Sequence, residues 1–185
     1  RVLFRSPITC TAPMTLIRAR AFKAGMAPSA ASSASYLRRG GAHGWGYNGY
    51  GQLNVPSHAT NIVALASGTH HVIALLNDGT LAAWGNNGNG ECNVPSTLSD
   101  PVAIAAGGYH SLALRADGSV AAWGYNGNGQ CNVPAALSDA IAVAAGSSHS
   151  LALKSDDTVA AWGYNDYGQC TPPAALSNVV AVAAG

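Results

Sequence analysis

Trp123-Gly-Tyr-Asn-Gly-Asn-Gly-Gln-Cys-Asn-Val-Pro134 is one of four near-copies of a single stretch, whose tryptophans fall at Trp45, Trp84, Trp123 and Trp162. Each gap is 39 residues. A fixed period of this size marks a repeat architecture, in which each unit buries its apolar face only against its neighbours. Working outward from Trp123, the unit offers four short strands. Val102-Ala-Ile-Ala-Ala106 lies between Pro101 and Gly107-Gly108. Ser111-Leu-Ala-Leu-Arg115 alternates and leads into an Asp117-Gly118 turn, a strong hairpin signal. Ser119 to Gly124 forms the third strand and Gln130-Cys-Asn-Val133 the fourth, closed by Pro134. No window carries a 3.6-residue period. Four strands per 39 residues predict an all-β fold of four-stranded antiparallel propeller blades.

The repeats occupy residues 43–185, and the last copy stops at Gly185. Three complete blades with flanking strands are expected, a partial propeller. A partial blade set exposes strand edges and uncovered faces, so self-association is an expectation if the set is incomplete. Residues 1–42 lie outside the pattern as a non-repeat segment expected to be disordered. They hold seven of the nine basic residues and no acid, and they do not begin with Met. An Arg- and Ser-rich, acid-free composition reads as an organelle transit peptide, or as spurious upstream sequence. Secretion or cell-surface display is the alternative localisation if this is not a targeting peptide. The repeats carry all eight acids against Arg115 and Lys154, a balance of −6 that disfavours nucleic acid.

The unit V-x-A-I/V-A-A-G-x-x-H-S-L-A-L-x-x-D-G-x-V-x-A-W-G-x-N-x-x-G-Q-x-x-V-P resembles the repeats of the regulator of chromosome condensation family. In particular it is similar to the short bacterial form found in propeller-type β-lactamase inhibitor proteins. The resemblance covers about three quarters of the chain. It implies blades of a propeller that is closed and seven-bladed in typical members, and a non-enzymatic, protein-binding role. Relatives that promote nucleotide exchange on a small GTPase do so through an inserted wedge and a basic tail. No insertion interrupts the period here, so guanine-nucleotide exchange is not carried over.

In a meander, the loop between strands one and two shares an end with the loop after strand three. One rim therefore gathers Tyr47, Tyr50, His70, Asn89, Tyr109, Tyr125, Asn128, Tyr164, Asp166 and Tyr167. The other gathers Asp78, Asp100, Asp117, Asp139, Asp156 and Asp157. Tyrosine on rigid turns suits protein recognition, since it offers large amphipathic area at little entropic cost. By resemblance to the inhibitor-type proteins, the partner-binding positions are His70, Tyr109 and Ser148 at the G-x-x-H corner. Tyr50, Asn89, Asn128 and Tyr167 are the matching positions in the N-x-x-G loop. Tyr47, Tyr125 and Tyr164 read as packing between blades. Trp45, Trp84, Trp123 and Trp162 read as blade core, and Cys92, Cys131 and Cys170 as packing positions, since Leu53 takes the same place in the first copy.

His71, His110 and His149 recur at one position and read as buried, structural histidines hydrogen-bonded to neighbouring backbone or loop. No metal site and no cofactor is expected. His110-Ser111 and His149-Ser150 are weak as catalytic pairs, because adjacent strand residues point to opposite faces. The expected function is a non-enzymatic protein-binding scaffold; a structural or cell-surface repeat array without a discrete partner is the alternative.

Overall fold

The computed structural model describes residues 33–38 and 41–185, with side chains from residue 42 onward. The described residues are all strand, turn and loop. Strands β1 (Ser33–Arg38) and β2 (Gly41–Gly46) form an antiparallel pair. Three antiparallel three-stranded sheets follow: β3 (Ile62–Ser67), β4 (His71–Leu76) and β5 (Leu81–Gly85); then β6 (Pro101–Ala106), β7 (His110–Arg115) and β8 (Val120–Gly124); then β9 (Ala140–Ala145), β10 (His149–Lys154) and β11 (Val159–Gly163). The partial propeller stands. Within the basic segment 1–42, residues 1–32 and 39–40 lie outside the described residues, whereas β1 adds a strand at its end.

The fourth strand of each unit is corrected. Gln130–Val133 is a loop, because its backbone donors are spent locally. Gly129 N–H donates to Asn126 O, Asn132 N–H to Gly129 O and Val133 N–H to Cys131 O. The Cys131 N–H goes to the Asn126 side chain at 2.8 Å, and Asn126 braces Asn132 at 2.8 Å. The same brace recurs around Asn48, Asn87 and Asn165. The N–H groups of Cys131, Asn132 and Val133 are thereby withheld from a ladder.

Apolar packing runs between sheets. Trp123 of β8 joins Ile73 and Leu75 of the preceding sheet, and Trp162 of β11 joins Leu112 and Leu114 of β7. The central strands β4 and β7 are buried almost end to end. Burying large side chains against the neighbouring blade contributes about 1.5–3 kcal/mol each, so every blade is stabilised by the next.

A hydrogen-bonded latch crosses each sheet boundary. Glu91 follows the first three-stranded sheet, and its carbonyl oxygen accepts the Trp123 indole N–H at 2.8 Å and the Ser111 hydroxyl at 2.9 Å. Gln130 does the same one unit later, for Trp162 and Ser150, both at 2.9 Å. Gln52 accepts from Trp84 at 3.0 Å. His71 Nε2 lies 3.0 Å from Ser111 Oγ, and His110 Nε2 lies 2.9 Å from Ser150 Oγ.

One tryptophan departs from the blade-core expectation. Trp84, Trp123 and Trp162 are each 7% exposed, whereas Trp45 is 58% exposed. The buried three each donate their indole N–H to a carbonyl 32 residues upstream. For Trp45 that position is Pro13, outside the described residues.

Candidate partner-binding rim

The rim begins at the G-x-x-H corner. Gly107 N–H donates to His110 O at 2.8 Å, closing a tight turn with Tyr109 at its tip. The His110 ring then lies against Gly107, where an added Cβ would meet Cε1 at 2.2 Å and the Gly146 carbonyl oxygen at 2.5 Å. Only glycine fits there. Gly68 and Gly146 are built alike around His71 and His149. After the Trp-Gly step, at which Gly124 takes φ +102°, Tyr125 N–H donates to Tyr109 O at 2.8 Å. Asn86 and Tyr164 bond His70 O and Ser148 O in the same way. Corner and loop thus meet at one end, as the meander requires.

Several expected binding residues come together there. The Tyr50 ring lies 4.4 Å from His70, and His70 lies 6.3 Å from both Tyr47 and Tyr109. Tyr109 in turn shares an open depression of about 320 Å³ with Asn89, Tyr125 and Ser148. Tyr164, bonded to the Ser148 carbonyl, pairs edge-on with Tyr167 at 5.9 Å. Asn128 is exposed in the intervening loop. Burial corrects two readings. His70 is only 9% exposed and forms the floor of the Tyr47–Tyr50–Tyr109 cluster instead of a displayed contact. Tyr47 and Tyr125, read as packing between blades, are about two-fifths exposed.

The loop geometry has a shared internal support. The side chain of Gln52, Glu91, Gln130 or Gln169 accepts the backbone N–H two residues earlier, at 3.0, 2.8, 3.0 and 3.0 Å. The donors are Tyr50, Asn89, Asn128 and Tyr167, and the first three are fixed by the same residue whose carbonyl serves the latch. Sequence reasoning missed this hub, although Gln or Glu recurs there at the 39-residue period. It also missed Ser111 and Ser150 as latch members.

Ser111 gives its only proton to Glu91 O, so His71 Nε2 must carry a proton and donate to Ser111. That polarity is the reverse of a base activating a nucleophile. Burial pushes both His71 and His110 down to about 4, the Glu91 carboxylate partly opposing the shift at His71. His149 is lowered by burial as well. The thiols of Cys92, Cys131 and Cys170 donate to loop carbonyls at 3.1, 3.3 and 3.2 Å. Burial raises Cys92 and Cys131 to about 11, as suits unreactive packing thiols. Among the described residues no cluster of three His, Cys, Asp or Glu could hold a metal ion, and no helix is long and apolar enough to cross a membrane.

The opposite end is built differently. Asp78, Asp117 and Asp156 each bond the N–H and hydroxyl of Thr80, Ser119 or Thr158 across the hairpin turn. Those bonds hold all three carboxyls below the usual range. Their charge serves the turns.

Residues 62–91, 102–130 and 140–169 match the profile of the regulator of chromosome condensation (RCC1) repeat. No curated protein matches the chain. Among solved structures, Prp20p from Saccharomyces cerevisiae, studied for its binding to Gsp1p and histones, matches with TM-score 0.60 and 22% identity over 72% of this chain and 43% of its own. The receptor kinase CR4 ectodomain of Physcomitrella patens matches with TM-score 0.67 and 20% identity, over 83% and 44%. Human WBSCR16 matches with TM-score 0.65 and 20% identity, over 80% and 51%. The chain therefore spans about half the length of these relatives, and at such identities the likeness is one of fold.

Proposed function

Since the chain belongs to the RCC1-like repeat family, we propose that it is a non-enzymatic scaffold whose repeats, residues 43–185, bind a protein partner through the aromatic rim. The observation that carries this reading is a contrast within the unit. The frame is constant, while the residues at its rim positions change from copy to copy: His70, which floors its cluster, then Tyr109 and Ser148 at the corner, and Tyr50, Asn89, Asn128 and Tyr167 in the loop. A surface of rigid, differing side chains on a repeated frame suits recognition of one irregular partner face. Tyr50, Tyr109 and Tyr167 are the leading anchors, at 47%, 38% and 87% exposure. Prp20p, with its binding to Gsp1p and histones, is a fold relative for which protein binding is described.

The test compares two variants of the full chain. Y50A/Y109A/Y167A should lose at least about tenfold in affinity for a partner captured by the wild type, with its unfolding transition close to the wild-type one. A control with Asp78, Asp117 and Asp156 changed to Asn should keep the partner. Equal partner affinity in the tyrosine variant would sink the proposal.

A further inference from the structure

We propose that the depression between Tyr109 and Tyr125 is a subsite for a guanidinium group, taken from an arginine side chain of the partner. It rests on the rim being the recognition surface and names the chemistry of one contact. The depression is lined by Asn89, Tyr109, Tyr125 and Ser148 and is open to solvent. Both tyrosines are exposed, and a guanidinium stacks on such rings more readily than the more strongly hydrated ammonium of lysine.

The second observation is the residue beneath it. At the hub position three copies carry Gln52, Gln130 and Gln169, and only this unit carries an acid, Glu91. Glu91 is fully buried, with Oε2 accepting the Asn89 N–H at 2.8 Å and Oε1 lying 3.4 Å from Asn89 Nδ2. Among the described residues the ion pairs are those of Lys154 with Asp139 and Asp156, far along the chain from Glu91. A buried carboxylate without a cation is costly, and glutamine does the same structural work in the neighbouring units.

The acid does two things that glutamine cannot. A carboxylate only accepts, so it fixes the Asn89 amide with nitrogen inward and the carbonyl oxygen turned away from it. It also places a negative charge behind the pocket wall. The two basic residues of the repeats, Arg115 and Lys154, belong to the hairpin end, so neither lines the depression. Aromatic walls, an outward amide oxygen, the Ser148 hydroxyl and a carboxylate behind them complement a flat cation with several N–H donors.

The test titrates the full ¹⁵N-labelled chain with N-acetyl-arginine methylamide and, separately, with its citrulline counterpart, the neutral isostere. Arginine should give saturable shifts at Asn89, Tyr109, Tyr125 and Ser148, and citrulline should bind at least about threefold more weakly. E91Q, which installs the residue of the other copies, should weaken arginine by a similar factor and leave citrulline unchanged. Equal binding of the two probes, no saturable shift at these residues, or an E91Q variant that binds arginine as the wild type does would each overturn the proposal. Failure here with the partner still lost by Y50A/Y109A/Y167A leaves the rim reading standing. Arginine binding with the partner retained by that variant removes the rim reading and overturns the partner as the source of the guanidinium.

Discussion

His70 and His71 are neighbours in sequence and belong to different parts of the molecule. His71 donates through Nε2 to Ser111 of the next blade and is locked between sheets; His70 floors an aromatic cluster at the rim. In the next unit the latch position is again histidine, His110, while the rim position has become Tyr109, and after that His149 and Ser148. One residue's difference in position separates a site where identity is forced from one where it varies. The latch requires a donor at Nε2, a ring flat enough to lie on Gly107, and a serine 40 residues on. The rim requires only that the backbone of the corner be closed.

The most severe way to break this contrast is G107A. Its Cβ would collide with the His110 ring and with the Gly146 backbone of the next corner. Neither can retreat without opening a blade boundary, so a loss of about 4 kcal/mol is expected, read as a fall in the denaturant midpoint. A variant within 1 kcal/mol of the wild type (about the size of a surface effect) would show that the latch yields.

Acid should act on the latch next. His71 and His110 titrate near 6.5 when unfolded and near 4 in the fold. Between those values the unfolded chain binds more protons, so stability is full above the unfolded value and falls as pH drops through the window. The slope approaches about 1.4 kcal/mol per pH unit for each histidine. Urea unfolding at pH 7.5, 6 and 5 measures it, and a flat profile would contradict a neutral, buried latch. The turn carboxylates Asp78, Asp117 and Asp156 are depressed instead, so their contribution is lost only at lower pH, below the ordinary carboxylate range.

The period, the first three strands and the two-ended arrangement of loops were legible because each depends on patterns a single unit displays: alternation, an Asp-Gly turn, glycine punctuation. What was not legible depends on side-chain partners that the repeat pattern does not display, within the unit or in the next one. Gln130 gives no sign in its own stretch that the Trp162 indole and the Ser150 hydroxyl, 32 and 20 residues on, converge on its carbonyl. The segment from Gln130 to Val133 reads as a strand because nothing local reveals that the Asn126 side chain has taken its Cys131 N–H. His70 reads as displayed because its burial is made by Tyr50, twenty residues upstream. The tyrosines of the rim were gathered correctly by loop position, although their function stays a proposal.

The gentlest change tests the other half of the contrast. S148Y gives the third corner the residue of the second, at a position that is half-buried and lines the depression with Tyr109. If rim identity is free, the turn closed by the Gly146 N–H to His149 O bond should form as before. Stability should then change by less than about 0.5 kcal/mol, as at an ordinary surface site. The new ring should nevertheless fill the space beside Tyr109 and Asn89, so arginine binding should fall while unfolding stays put. Such a split, recognition altered and stability kept, is what an exchangeable rim on a fixed latch demands. A destabilisation above about 1 kcal/mol would mean that corner and latch are one unit, and that the variation among His70, Tyr109 and Ser148 is compensated elsewhere in the blades.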